Sequence, residues 1–307
     1  MNILSWMRGL FRPEESSREV ALVLSGGGAR GLAEIGAVEE LEQRGYKIRS
    51  VAGTSMGAMV GGFYAAGKLD VMKERVLSLN WRKVWSLIDL SIGLDHLASG
   101  NNLSRLLEEL LGDANIEQLP VDFCCVASDL VSGKERVFSS GPLCRAILAS
   151  ISIPGVFRPV LDGEGTYVDG SVHNIFPLDR VARHPHDLLV GVNVSAPDKN
   201  PCTDYIHHDD VSTTRFLAYL RQHLSVLRHG MSENYVNLLL RVARISLQNM
   251  TQTALRLNPP DIYVEIPMDS FGLFDYGKAN EIMAFGKEQM ARQLDSWEES
   301  HGKRKRE

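Results

Sequence analysis

The feature that most constrains the fold is a pair of glycine-framed motifs that lie about twenty residues apart near the start of the chain. Residues 20–24 form a short apolar run, typical of a buried strand, and the glycine-rich loop SGGGARG follows at 25–31. Apolar residues then recur at helical spacing over 32–44, and a second predicted strand at 48–52 leads into the turn GTSMG at 53–57. The order strand, loop, helix, strand, turn and helix predicts a three-layer α/β/α fold with a mostly parallel central sheet.

Composition and charge exclude several classes of protein. The 307 residues are 44% hydrophobic and 23% charged, which is ordinary for a globular chain that buries one sizeable core. A net charge of −5 gives no electrostatic basis for nucleic-acid binding. The four cysteines have no framework spacing, and two of them are adjacent, so we expect a reduced, cytoplasmic setting. We expect neither a signal peptide nor a transmembrane helix, because no apolar stretch has the required length and composition.

The glycine-rich loop fits more than one use. The spacing Gly26-x-Gly28-x-x-Gly31 satisfies the dinucleotide-binding fingerprint, but the acidic residue that would hold the ribose is missing after the second strand. No Gly-Lys-Ser/Thr sequence follows, so the loop is not a P-loop. Successive glycine amides before a helix can instead converge on an anion, either a phosphate or the oxyanion of a tetrahedral intermediate. The alternative to an anion site is that the loop is only a tight turn between a strand and a helix.

The second motif, Gly53-Thr54-Ser55-Met56-Gly57, has the Gly-x-Ser-x-Gly pattern of a nucleophile elbow between a predicted strand and a predicted helix. The two flanking glycines permit a strained turn that lifts the serine hydroxyl above the sheet. A serine is a poor nucleophile without a base. The nine histidines offer no obvious partner, and the elbow comes too early in the chain for an α/β-hydrolase fold.

A carboxylate is the alternative base for such a serine. Asp169-Gly170-Ser171 follows a short apolar strand, and its glycine lets the backbone approach another segment closely. On its own this tripeptide is ordinary turn chemistry. Beside the glycine loop and the serine turn, Asp169 becomes a candidate base for Ser55.

SGGGARG, GTSMG and DGS, in this order, resemble the motifs of the patatin-like phospholipase family. The stretches ASISIPGVFRPV at 149–160 and VDGSVHNIFPLDRVA at 168–182 are also similar to those of its bacterial members. The segment at 271–282 resembles the C-terminal end of the same bacterial group. The main resemblance covers roughly residues 20–200.

This resemblance implies a catalytic dyad rather than a triad. Ser55 would be the nucleophile, and Asp169 would be the general base and later the general acid. Arg30 would either meet a lipid phosphate or brace the loop. The amides implied as the oxyanion hole are those of Gly26, Gly27 and Gly28. The other supporting positions are Gly31, Gly53, Gly57 and Gly170.

Two positions depart from the family's pattern. Ser171 stands where many members have glycine or alanine, which should preserve the turn. Glu34 stands where bacterial relatives often have histidine, one turn into the helix after the glycine loop. It would either add negative charge near the loop or face water. Neither departure removes a catalytic group.

The sequence also predicts how the chain is divided. We expect an N-terminal segment with the spacing of an amphipathic helix (1–18) and a patatin-like catalytic core (19–200). A helical extension with a last strand (201–300) should pack on the core as part of the same unit, before a basic tail (301–307).

The implied function is hydrolysis of fatty acyl esters in phospholipids, lysophospholipids or related lipids, through an acyl-serine intermediate. This chemistry requires neither a metal nor an organic cofactor, and it implies a lipid substrate rather than a nucleic-acid partner. A catalytically weak, lipid-sensing or regulatory protein of the same fold is the alternative. We expect a cytoplasmic protein, and the N-terminal segment leaves peripheral contact with the inner membrane face open. The preferred head group, the acyl chain and the oligomeric state do not follow from the sequence.

Overall fold

The computed structural model describes residues 18–78, 100–154, 156–163, 165–199 and 233–303. In these ranges, eight strands form one sheet and apolar clusters lie on both of its faces. The strands are β1 (Glu19–Leu24), β2 (Lys47–Thr54), β3 (Asp122–Asp129), β4 (Lys134–Phe138), β5 (Val160–Asp162), β6 (Gly165–Asp169), β7 (Leu188–Ala196) and β8 (Ile262–Pro267). The helices are α1 (Leu32–Gln43), α2 (Met56–Ala65), α3 (Leu69–Leu77), α4 (Asn101–Leu111), α5 (Leu143–Ile151), α6 (Glu233–Leu257) and α7 (Ala279–Lys303).

The sheet is parallel through its centre and antiparallel at one side. β1 pairs in parallel with β2 and β7, and β3 and β8 continue the parallel pairing on either side. β4, β5 and β6 join near β3 by antiparallel pairing. The strand order is β5-β6-β3-β2-β1-β7-β8, with β4 paired to β3. The predicted three-layer α/β/α fold with a mostly parallel sheet is confirmed.

The central strand is buried on both sides, which explains its unbroken apolar sequence. Leu22 and Leu24 belong to the larger apolar cluster on one face of the sheet, and Ala21 and Val23 belong to a second cluster on the other face. A parallel strand that is covered on both faces needs apolar side chains at every position, so it does not alternate.

Helices α1 and α7 meet by a close backbone approach at two glycines. A Cβ atom on Gly36 of α1 would lie 1.9 Å from the carbonyl oxygen of Met283 in α7, and a Cβ atom on Gly286 of α7 would lie 1.9 Å from the carbonyl oxygen of Ala33. The absence of side chains at both positions allows the two backbones to touch. Because α1 also packs on the sheet, residues 32–38 are all buried.

Most predicted elements are present within a few residues of their expected ends. The dipeptide Ser132-Gly133 predicts a hairpin turn, and it joins β3 to β4. The sequence also predicts a short helix at 144–150 and strands at 188–194 and 261–266, which are α5, β7 and β8. β5 was not predicted from the sequence, because three residues that pair only with β6 are too short for a visible pattern.

Some predictions fall outside the described part of the chain. The expected N-terminal helix (1–18) lies almost wholly outside it, as do residues 200–232 and the last four residues of the basic tail. Within the described part, β8 pairs with β7 and α7 packs on α1. The division into four segments stays a prediction. Among the described helices, none combines the length and the apolar character needed to cross a bilayer.

Candidate active site

The register of β3 brings Ser55 and Asp169 together although 114 residues separate them. β4 pairs with residues 125–129 along one edge of β3. On the other edge, β2 pairs with β3 as far as Val126, which lies opposite Thr54. From Ala127 onward β6 pairs with β3 instead, and Ala127 lies opposite Asp169. The residue before the serine and the aspartate itself therefore lie opposite neighbouring residues of one strand.

Ser55 occupies a strained turn between β2 and α2. Its φ of 54° and ψ of −120° are unusual for a residue with a side chain, and such strain persists only where the surroundings enforce it. A Cβ atom on Gly53 would lie 2.3 Å from the carbonyl oxygen of Gly57, and one on Gly57 would lie 2.4 Å from that of Leu24. The turn therefore requires both flanking glycines, as its sequence predicts.

The hydroxyl of Ser55 donates a hydrogen bond of 2.6 Å to Oδ2 of Asp169. This length is typical of a hydroxyl bonded to a carboxylate. Both residues are buried, with 6% and 3% of their surfaces exposed. Among the described histidines, none hydrogen-bonds to either residue, since His173 contacts Gly133 O and His184 contacts Asp122.

Three serines that the sequence analysis did not single out hold the pair in place. The amide of Ser55 donates to Oγ of Ser150, and that hydroxyl donates to the carbonyl oxygen of Val126 in β3. Ser128 Oγ donates to the carbonyl oxygen of Asp169, and the amide of Asp169 donates to the carbonyl oxygen of Ser152. The local sequence does not give these serines their partners, because the pairing of β3 with β6 places Ser128 and the packing of α5 against β3 places the other two.

Burial and hydrogen bonding act in opposite directions on the pKa of Asp169. Burial raises its pKa above the ordinary aspartate value, while hydrogen bonds from Ser55 and Ser171 act to lower it. The amide of Ser171 donates to Oδ1 at 2.8 Å, so one carboxylate oxygen is held by the backbone and the other faces the serine. Burial therefore makes Asp169 a stronger proton acceptor than an exposed aspartate, in a fixed orientation.

The three glycine amides predicted as oxyanion donors differ in their hydrogen bonding. The amide of Gly26 already donates to the carbonyl oxygen of Ile175 at 2.9 Å. No described residue accepts a hydrogen bond from the amide of Gly27 or Gly28. These two residues stand at the start of the 3-10 turn Gly28–Gly31, where unpaired amides are normal. Only Gly27 and Gly28 remain candidates among the three glycines.

The glycine loop is anchored by residues far along the chain. The amide of Ala29 donates to the carbonyl oxygen of Leu273, and Ser195 Oγ donates to that of Gly26.

Arg30 is buried; its Nε donates to Val194 O and its Nη1 to Phe271 O. Of the two roles open for Arg30, these contacts support bracing the loop. The remaining supporting glycines are also tightly packed, Gly31 against Met56 and Gly170 against Val126.

Glu34 lies beneath the glycine loop and does not face water, which excludes one of its two predicted placements. It is fully buried, and neither carboxyl oxygen has a hydrogen-bond partner among the described residues. Burial raises its pKa well above the ordinary value. The backbone of Ser25 opposes part of this rise, but the Ser25 amide donates to Val192 O. A raised pKa favours the protonated, neutral side chain, so Glu34 brings less negative charge to the loop than expected.

We expect Glu34→Gln to flatten the dependence of stability on pH. Because the pKa of Glu34 is raised in the folded protein, the folded chain keeps a proton that the unfolded chain releases above about pH 4.3. The wild type should therefore lose up to about 1.4 kcal/mol of unfolding free energy per pH unit between the two pKa values. The glutamine variant cannot ionise there and should not show this loss. Urea unfolding from about pH 5 into the alkaline range measures both slopes, and parallel slopes would contradict the prediction.

Fold and site together define a class of α/β protein, with a serine on a nucleophile elbow, an aspartate hydrogen-bonded to it, and a glycine-rich loop beside them. A family model described as patatin-like phospholipase matches residues 22–182, just over half of the chain. The chain belongs to the patatin-like phospholipase family.

Several individual proteins are similar to parts of this chain. An uncharacterised NTE family protein of Mycobacterium tuberculosis is 40% identical over 190 residues, which are 62% of this chain and 52% of that protein. Lysophospholipase NTE1 of Kluyveromyces lactis is 28% identical over 279 residues, 88% of this chain and 19% of that protein. The chain thus spans about half of the mycobacterial relative and less than a fifth of the fungal one. A crystal structure of VipD from Legionella pneumophila is a distant likeness, with a TM-score of 0.43 and 15% identity over 92% of this chain and 67% of that chain.

Proposed function

We propose that this chain is a serine acyl hydrolase that cleaves fatty acyl esters of phospholipids, lysophospholipids or related lipids with a dyad of Ser55 and Asp169. The observation that carries the proposal is the 2.6 Å hydrogen bond between Ser55 Oγ and Asp169 Oδ2 at a strained elbow. Family membership supports lipid ester hydrolysis, and the name of the fungal relative supports lysophospholipids among the substrates.

In the proposed mechanism, Asp169 accepts the proton of Ser55 as the hydroxyl oxygen attacks the ester carbonyl. The amides of Gly27 and Gly28 donate to the oxyanion, and each such donor typically contributes about 2.7–4 kcal/mol to transition-state stabilisation. The positive end of α2, which begins directly after Ser55, adds to this stabilisation. Asp169 then returns the proton to the departing alcohol, which leaves an acyl-serine.

Deacylation repeats the sequence with water in the place of the serine hydroxyl. Asp169 takes a proton from the water, the hydroxide attacks the acyl carbonyl, and the same two amides bind the second oxyanion. When this intermediate collapses, the fatty acid leaves and Ser55 regains its proton from Asp169. The chemistry consumes one water for each ester bond and regenerates both residues.

The experiment that tests this proposal is covalent labelling with a lipid-like fluorophosphonate. We expect one adduct per chain, mapped to Ser55 by peptide mass spectrometry, because only an activated serine attacks the phosphorus. Asp169→Asn should not be labelled, and folding of that variant is checked by circular dichroism. A folded wild-type protein that binds the lipid probe without an adduct would instead support the lipid-sensing alternative.

A further inference from the structure

Three strongly exposed aliphatic side chains lie in the segments that directly follow β3 and β6. Leu130 and Val131, in the turn between β3 and β4, are 58% and 67% exposed, and Val172, just after Asp169, is 51% exposed. Single exposed aliphatic residues are ordinary on a protein surface, but a contiguous group is characteristic of an interaction surface. We call Leu130, Val131 and Val172 the apical patch.

The segments that carry the apical patch are joined by hydrogen bonds. A ring nitrogen of His173, the neighbour of Val172, lies 3.2 Å from the carbonyl oxygen of Gly133 in the β3–β4 turn. The amide of Leu130 donates to the carbonyl oxygen of Thr166 in β6, the strand that ends at Asp169. The patch therefore borders the residues that hold the proposed dyad.

The turn is built so that its aliphatic side chains stay outside. The carboxylate of Asp129 accepts hydrogen bonds from the amides of Val131 and Ser132, from Ser132 Oγ, and from the amide of Thr166. These bonds lower the pKa of Asp129 to about 2, so the carboxylate stays ionised within the turn. Asp129 thus fixes a turn whose two apolar residues have no core to enter.

The charges beside the patch favour an anionic partner. Lys134, the first residue of β4, is exposed, and no described residue forms an ion pair with it. The neighbouring carboxylate of Glu135 is neutralised by Arg180 at 2.7 Å. Arg136 lies over the ring of Phe138 and keeps an exposed position. Lys134 and Arg136 thus offer two exposed positive charges beside the patch, while the carboxylates of Asp129 and Glu135 are bonded to groups of the protein itself.

We propose that the apical patch docks the protein on an anionic phospholipid surface, with Leu130, Val131 and Val172 entering the lipid and Lys134 contacting head groups. This inference rests on the proposed function, because a lipid ester within a membrane reaches Ser55 only if the adjoining edge of the protein meets that membrane. Apolar side chains supply the insertion, and the lysine supplies an attraction that salt weakens.

The test compares vesicle binding by the wild type and by the double variant Leu130→Ser/Val131→Ser. Sedimentation uses vesicles of equal parts phosphatidylcholine and phosphatidylglycerol, and vesicles of phosphatidylcholine alone. The double variant should bind the mixed vesicles about 100-fold more weakly, since two aliphatic side chains no longer leave water.

Lys134→Gln should weaken binding to the mixed vesicles only. The matched control is Leu257→Ser, because Leu257 is 73% exposed at the opposite edge of the sheet, before β8, and should bind as the wild type does.

A second readout separates this inference from the proposed function. All variants should hydrolyse a monomeric, water-soluble short-chain ester at the wild-type rate, whereas hydrolysis of vesicle lipid should fall with binding. Absence of ester hydrolysis by the wild type would count against the proposed function and leave the vesicle result intact. Vesicle binding that is absent in the wild type, or unchanged in the double variant, would overturn the docking proposal.

Discussion

Ser55→Ala should lower hydrolysis of a lipid ester by about four to six orders of magnitude, with the fold unchanged. The substitution removes the atom that attacks the ester, so only binding and the glycine amides remain to favour hydrolysis by water. The small alanine side chain fits the space that the serine occupies. Initial rates on a soluble ester and on vesicle lipid measure the loss.

Asp169→Asn should cause a loss of similar size, because the asparagine side chain cannot accept the proton of Ser55. Its melting temperature should not fall below that of the wild type, since burying a charged carboxylate has a desolvation cost, which raises the pKa of Asp169, and the neutral asparagine avoids that cost. Asp162→Asn, at a partly exposed carboxylate of β5, is the control and should keep wild-type activity. A turnover above about 1% of the wild-type rate in the Asp169 variant would exclude the dyad mechanism.

Gly286→Ala should destabilise the protein by about 3 kcal/mol or more, although alanine is the better helix former. Helix propensity alone would favour the substitution by about 1 kcal/mol. The new Cβ would lie 1.9 Å from the carbonyl oxygen of Ala33, where no real contact is so short. Because that atom belongs to the backbone of α1, relief requires the two helices to move apart and uncover apolar surface. Gly36→Ala should act in the same way, through Met283 O.

Urea unfolding measures these losses, with Gly277→Ala as the matched control. Gly277 precedes α7, and a Cβ atom there would meet nothing within 4 Å. We expect that control to remain within about 0.5 kcal/mol of the wild type. If the Gly286 and control variants were equally stable, the helices would not be packed at the distance described.

The parallel centre of the fold could be predicted because its elements have strong local signals. The apolar run at 20–24 and the strand predicted at 48–52, each followed by a glycine-framed turn, allow few alternatives to βαβα. Ser55 and Asp169 could be named from their motifs. Their proximity could not be worked out from local pattern, because it depends on β3 passing from one pairing partner to the next between Val126 and Ala127.

Glu34 and Gly26 show what local sequence cannot provide. α1 is covered by the sheet and by α7, so polar residues in its first turns have no solvent-facing side to occupy. The helical spacing of apolar residues in α1 therefore does not predict whether Glu34 is buried or exposed. The amide of Gly26 is occupied by Ile175 O, which comes from a loop about 150 residues away. Such a partner is visible only after the chain has folded.

The anchoring of the glycine loop determines when, during synthesis on the ribosome, the candidate site can be completed. Ser55 and Asp169 have both been made once residue 169 is added, but Phe271 and Leu273, which hold the loop, come about a hundred residues later. At common translation rates, this interval is about 5–20 s. During it, the nascent chain carries the proposed nucleophile and base but no fixed loop for the proposed oxyanion. We therefore expect hydrolytic competence to arrive late in synthesis, after most of the molecule has already left the exit tunnel.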